Sequence, residues 1–293
     1  MRDAVRSRLR CPHCAEAFLP GLVGRLQCPR GHSFDAARQG YFNFLTGKGT
    51  GFTADSAAMA TARSAFLEAG HYAPLADAMA AQLASRLRTP RTETALLDAG
   101  AGTGYYLHHL LDALSEDGSA PAAVAFDISK FALRRAARLN PEAAVFVWDV
   151  WKEFPLRSSS IDAVTVVFAP RNPAEFHRVL AADGVLLVVT PQPSHLREIA
   201  DSSGLLDIEE GKLDRLDQAM DPFFSLEDRQ ELSFVMRLSP AAIAAVARMG
   251  PAGHHDTVEE PGSGDDEALS VLPVTASFTI SLFRPRSLRT ERD

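Results

Sequence analysis

All three cysteines of the chain fall within its first 28 positions. They lie in Cys11-Pro12-His13-Cys14 and, thirteen residues later, Cys28-Pro29-Arg30-Gly31-His32. An odd number of cysteines crowded at one end argues against a disulfide framework. Two short turns, each offering two soft or borderline donors, are instead the pattern that wraps a tetrahedral zinc ion. Cys11, Cys14, Cys28 and His32 would fill all four positions and leave none for water, which makes the metal structural. Gly31 lets the second turn tighten. A segment of about forty residues cannot bury enough apolar surface to fold alone, and the metal supplies what is missing. His13, between two ligands, is poorly placed to be one itself and reads as a surface side chain.

The same segment is basic. Residues 1–48 hold eight basic groups (Arg2, Arg6, Arg8, Arg10, Arg25, Arg30, Arg38, Lys48) against three acidic ones, a net +5 on a chain whose total is -7. A basic head on an acidic body is the asymmetry expected where one end meets phosphate. Phe34, Tyr41 and Phe44 follow the second turn. They are expected to pack the head's small core, with base stacking as the alternative use of aromatics beside arginines. Met1 to Arg10 is basic with no apolar run after it, and no apolar stretch approaches membrane-spanning length, so a cytoplasmic protein without membrane contact is expected.

Gly47-Lys48-Gly49-Thr50-Gly51 reads as a linker, and the Ala-rich segments 54–68 and 73–87 as two helices leading into a larger domain. There the pattern is that of a doubly wound parallel α/β sheet. A buried strand, 94–98, runs into Ala99-Gly100-Ala101-Gly102-Thr103-Gly104 and a helix from Tyr105. The spacing differs from the G-x-G-x-x-G that cradles a pyrophosphate. A tight turn around an uncharged adenosine and an amino-acid tail suits it better, which points to S-adenosylmethionine. Asp98, Asp127 and Asp149 end three successive strands beside that loop. Asp127 is placed to accept ribose hydroxyls, Asp149 an exocyclic amine, and Val150 or Trp151 to lie against the adenine. Strands follow at 161–168 and 185–190, then long strands at 230–238 and 271–283 that fit an antiparallel edge pair. A helix at 240–248 and a flexible acidic loop, Gly262 to Glu267, complete the tail.

A zinc turn pair ahead of Asp98-x-Gly100-x-Gly102-x-Gly104 resembles the bacterial family that methylates N1 of a guanine in a 23S rRNA hairpin near the peptide exit tunnel. The nearest branch is the macrolide-resistance one, of tylosin or mycinamicin type. The likeness also runs through Ala69-Gly70-His71-Tyr72-x-Pro74-Leu75, Asp149-Val150-Trp151, Phe168-Ala169-Pro170-Arg171-Asn172-Pro173 and Thr190-Pro191-x-x-x-His195-Leu196. It implies the same four zinc ligands, and Tyr72, Gly102, Thr103 and His195 as cofactor contacts. The family's Trp-rich Gly-Pro segment is replaced here by Gly250-Pro251-Ala252-Gly253-His254.

The resemblance divides the chain into a zinc-binding RNA-recognition domain (1–48), a linker and helical lead-in (49–92) and an S-adenosylmethionine-dependent class I methyltransferase domain (93–293). Asp98, Gly100 and Gly104 join the expected cofactor contacts. At the tip of the 161–168 strand, Phe168 would stack the target guanine, while Arg171 or Asn172 holds its O6 or a phosphate. Phe168-Ala169-Pro170 has no acid at its head, so no general base is named. Two rival readings are a small-molecule methyltransferase with a zinc-stabilised N-terminus and a non-catalytic RNA-binding protein. Monomer and homodimer both stay open.

Overall fold

The computed structural model describes residues 2–45, 50–87, 94–115, 121–200, 211–250 and 271–287. Gly47 to Gly49 of the expected linker, the acidic loop 262–267, residues 251–254 and the expected boundaries near 48 and 92 lie outside them.

The chain opens with α1 (Asp3–Arg6) and the zinc hairpin β1 (Arg25–Gln27) and β2 (Ser33–Asp35), paired antiparallel through Leu26 and Phe34. Next come β3 (Phe42–Asn43), α2 (Ala57–Glu68) and α3 (Ala73–Arg86), then β4 (Ala95–Ala99), α4 (Tyr105–Ala113), β5 (Ala122–Asp127), α5 (Lys130–Leu139), β6 (Ala144–Val147), β7 (Ile161–Val167), α6 (Pro173–Val179) and β8 (Leu180–Pro191). The tail is α7 (Lys212–Met220), β9 (Phe224–Leu238), α8 (Pro240–Met249) and β10 (Leu272–Pro285).

One eight-stranded sheet organises the body, in the order β3-β6-β5-β4-β7-β8-β10-β9. The first six strands run parallel; β10 enters antiparallel between β8 and β9. The central strands are buried on both faces, which is why β5 up to its terminal Asp127, and β6 throughout, read as apolar runs without alternation. The order reverses beside β4, and in such sheets the crevice beyond the carboxyl ends of the strands at that point takes the ligand. α2 to α5 and α8 cover one face, while α1, α6, α7 and the zinc hairpin cover the other.

Packing crosses the expected boundary between head and body. β3 extends the main sheet by pairing with β6, Phe42 against Phe146 and Asn43 against Val147. Phe44, 1% exposed, stacks on Phe146 with ring centroids 4.8 Å apart and also contacts Phe18, Phe34 and Phe42. Arg10 N donates to Pro155 O, and Arg157 N to Arg8 O, each at 2.8 Å. Phe34 and Phe44 pack with the zinc-module residues as expected, whereas Tyr41 is buried in the cluster on the other face of the sheet.

Candidate functional site

The zinc ligands converge as the spacing predicts. The donor atoms of Cys11, Cys14, Cys28 and His32 lie within 4.8 Å of one another. Cys14 Sγ is 3.6 Å from Cys28 Sγ, and His32 Nδ1 is 3.5 Å from Cys11 Sγ and 3.4 Å from Cys28 Sγ. A tetrahedron with bonds of about 2.3 Å to sulfur has edges of about 3.8 Å, so the donors already outline a zinc shell. Backbone bonds from Gly31 N to Cys28 O and from Cys28 N to His32 O close the second turn, with Gly31 at φ +86°. His13 is exposed and stacks beside Phe34, outside the cluster.

At the switch point, β4 ends in the glycine loop, whose three glycines all have positive φ. A Cβ on Gly100 would stand 2.4 Å from Ala169 Cβ, and one on Gly104 would lie 2.8–2.9 Å from Asn140 and Ala136. These two positions need glycine for packing against the β7 tip and α5. Gly102 is different: its Cβ would meet only the Arg63 side chain, at 3.2 Å, so this is the point where a ligand can approach the loop. Gly102 N and Ser129 N donate to opposite oxygens of Asp127, at 2.9 and 2.8 Å. Each oxygen keeps lone-pair capacity for a hydroxyl.

Asp149 is buried and accepts from Thr50 Oγ1 at 2.7 Å and from Trp151 N at 3.0 Å. Val150 is buried too, whereas Trp151 is half exposed and faces Phe52, ring centroids 6.5 Å apart. Of the two side chains offered to the adenine, Val150 is thus the enclosed one. Asp98 accepts from Thr165 Oγ1 at 2.9 Å, and burial pushes its carboxyl up to about 7, against the lowering effect of that bond.

Tyr72 and His195, which only the resemblance suggested, meet each other, with the Tyr72 ring edge-on to Phe168 at the β7 tip. Tyr72 Oη lies 3.1 Å from His195 Nε2, while His195 Nδ1 accepts from Ser277 N at 3.2 Å. An Nδ1 that accepts a backbone N–H carries no proton, and burial holds the imidazole neutral by lowering it to about 4. Nε2–H therefore donates to the Tyr72 oxygen, which leaves the Tyr72 O–H to donate elsewhere. Their rings join a cluster with Phe66 and Phe278.

Phe168, at the β7 tip, adopts φ +55°, an uncommon conformation for a bulky residue. It is 42% exposed, with its ring edge-on to Tyr72 and Tyr106 and tilted over Phe278. Arg171 is largely buried and its Nε has no partner. Asn172 is partly engaged: its Nδ2 donates to Val150 O at 2.9 Å, and its Oδ1 caps α6 through Glu175 N. These bonds tie the β7 tip to Val150 and leave one amide N–H and one carbonyl lone pair of Asn172 for a substrate.

Two neighbours carried no sequence signal. Arg63 pairs with Asp55 at 2.8 Å and donates to Met249 O at 2.8 Å while lying across Gly102. Tyr106 Oη is buried without a hydrogen-bond partner, and burial pushes its hydroxyl well above the ordinary value. An orphaned hydroxyl, a cation, buried acids and a loop open at Gly102 suit a ligand with a ribose, an ammonium and a carboxylate, as S-adenosylmethionine has.

The RlmA N-terminal zinc-ribbon family matches residues 9–47. A 23S rRNA (guanine(748)-N(1))-methyltransferase of Streptomyces fradiae is 41% identical over 97% of this chain and 99% of its own length. A protein of Micromonospora griseorubida with the corresponding (guanine-N(1)-) assignment, made provisionally, is 38% identical over 97% of this chain and all of its own. Likeness to solved structures is more remote. A TehB-like SAM-dependent methyltransferase from Corynebacterium glutamicum is 16% identical, with a TM-score of 0.42 over 78% of this chain and 99% of that one. With both the zinc hairpin and the sheet inside one near-full-length match, the chain belongs to the family of 23S rRNA (guanine-N1)-methyltransferases.

Proposed function

We propose that the protein transfers a methyl group from S-adenosylmethionine to N1 of one guanine in 23S rRNA. The target would lie in a hairpin near the peptide exit tunnel, where the modification protects against a macrolide. The observation that carries this reading is the 41% identity over 97% of the chain. The protein would act on ribosomal RNA in the cytoplasm, with residues 1–48 as its zinc module and 93–293 as its transferase. A homodimer is compatible with it.

When bound, the cofactor supplies a methyl already activated on a sulfonium. Asp127 would accept the ribose hydroxyls, Asp149 the adenine amine with Val150 against the ring, and Asp98 the ammonium. Gly100, Gly102, Thr103 and Gly104 shape the loop, and Arg63 lies where a carboxylate would sit. The Tyr72 O–H, oriented by His195, donates into the same space. Phe168 would stack the flipped guanine, with Arg171 beside it. Base stacking of this kind is worth roughly 1–3 kcal/mol and brings the acceptor nitrogen to about 3–3.5 Å from the methyl. Gly100 against Ala169 joins the two half-sites mechanically.

The test is methyl transfer from labelled S-adenosylmethionine to unmodified 23S rRNA, followed by nucleoside analysis. N1-methylguanosine at one position is expected. Label entering only small molecules, or none entering RNA, would overturn the reading.

A further inference from the structure

The head's arginines are mostly engaged within the chain. Arg25 Nε is 2.6 Å from Asp35, Arg6 pairs with Asp3 at 2.8 Å, and Arg30 Nε stands 3.8 Å from Glu16. Arg2, Arg8 and Arg10 donate to backbone carbonyls, those of Pro121, of Ser160 and Ala4, and of Leu9. Arg38 is exposed, and it sits on the turn that Gly40 closes.

A denser set of cations lies on α5. Its inner face is Ala132, Leu133, Ala136 and Ala137, all buried. Its other face carries Lys130, Arg134, Arg135 and Arg138, and the helix contains no acid. Lys130 and Arg134 flank the Phe131 ring at 5.4 and 5.2 Å, and Arg135 donates to Thr61 Oγ1 at 2.7 Å. Among the described residues none of the four forms an ion pair. Lys130, Arg134 and Arg138, spaced by four, make one row spanning roughly 12 Å. One end of this surface adjoins the zinc module, where a Cβ on Gly40 would lie 3.9 Å from Ala137 Cβ. The same C-terminal half of α5 also borders a cleft of about 310 Å³ whose walls include Arg135, Arg138, Glu68, Ser64 and Thr103 of the glycine loop. On a body that is acidic overall, four unpaired cations on one helix are an electrostatic footprint for a polyanion.

We propose that the outer face of α5, together with Arg38, is the track that holds the RNA sugar–phosphate backbone. The proposal rests on the rRNA methyltransferase reading and moves the principal phosphate contacts from the Arg25–Arg30 hairpin to a helix of the sheet domain. A backbone held there lies beside both the zinc module and the cofactor loop, which links RNA position to the site of transfer.

The experiment uses the full-length, zinc-loaded chain and unmodified 23S rRNA transcript. RNA binding is measured across a salt series, and S-adenosylmethionine binding by calorimetry. Each phosphate contact contributes about 0.7 to the slope of log affinity against log salt. The triple variant Lys130→Gln, Arg135→Gln, Arg138→Gln should flatten the slope by about 2. At about 0.1 M salt it should weaken RNA binding roughly 100-fold, with cofactor affinity unchanged. Arg135→Lys with Arg138→Lys, which keeps the charge, should retain most of the binding. Arg25→Gln with Arg30→Gln should change the slope by less than the triple. Wild-type slope and affinity in the triple variant would overturn the track alone. Failure of the wild-type protein to bind or methylate the transcript would overturn the RNA reading, and the track with it.

Discussion

Asp98 stands under opposing influences. Burial and the Asp127 charge push its carboxyl up to about 7, and the Thr165 hydroxyl pulls it down. Because the folded value lies above the usual 3.8, the unliganded protein keeps a proton there that the unfolded chain has lost. That stabilisation is full below about pH 4 and is lost as pH rises through about 7. A ligand ammonium reverses the preference by favouring the ionised carboxylate. Cofactor affinity should therefore be flat just above pH 7 and fall by up to about tenfold per unit below it. His195, at about 4, stays neutral and does not add to this slope. Calorimetry between about pH 5.5 and 7.5 reads the effect directly. Asp98→Asn should flatten the profile and weaken binding at the upper end; a wild-type affinity independent of pH would remove Asp98 from the cofactor. The position of this acid was legible, since an apolar run ending in Asp before glycines marks a strand tip. Arg63 was not: one arginine in an Ala-rich helix gives no sign that folding lays it across Gly102.

The glycine loop and the zinc hairpin show how much a short element states about itself. At the loop, three glycines look equivalent in sequence, yet only at Gly102 would a Cβ meet nothing but the Arg63 side chain. Gly102→Val should abolish S-adenosylmethionine binding while costing about 1–2 kcal/mol of stability from its φ of +54°. Gly100→Val should lose binding and considerably more stability, because the new Cβ meets Ala169. Thermal unfolding beside cofactor titration separates the two; equal stability losses would show that the loop relaxes around Ala169. The zinc turns were readable because four donors at fixed spacing admit few other geometries. Purified protein should carry one zinc per chain, and Cys28→Ser should lose it, as elemental analysis would record. Unreadable from the sequence were α7 and the place of β10. Strand order in space is set by which apolar faces meet, and nothing in residues 272–285 says that this strand slips between β8 and β9.

At the scale of the molecule, the sequence suggested a head and body joined by a linker, and in two independent units losing the metal would leave cofactor binding untouched. The structure ties the two together more closely. β3 hydrogen-bonds to β6 immediately before Trp148-Asp149, and Phe44 bridges the zinc-side aromatics to Phe146 and so to the sheet. A composition shift and a glycine-rich stretch signal a change of local character, not whether the segments on either side share a core. Zinc extraction should therefore destabilise the sheet as well as the hairpin, and calorimetry should show one transition moved downward in place of an early hairpin transition and an unchanged main one. Phe44→Ala tests the same coupling with the metal in place. Truncating a buried Phe costs about 3–5 kcal/mol, which at roughly 2 °C per kcal/mol lowers the melting temperature by about 6–10 °C. Because Asp149 lies just beyond β6, cofactor affinity should fall with it, by less than in Gly102→Val. A Phe44→Ala protein that melts in two steps and keeps wild-type affinity would mean that the head and the sheet fold independently.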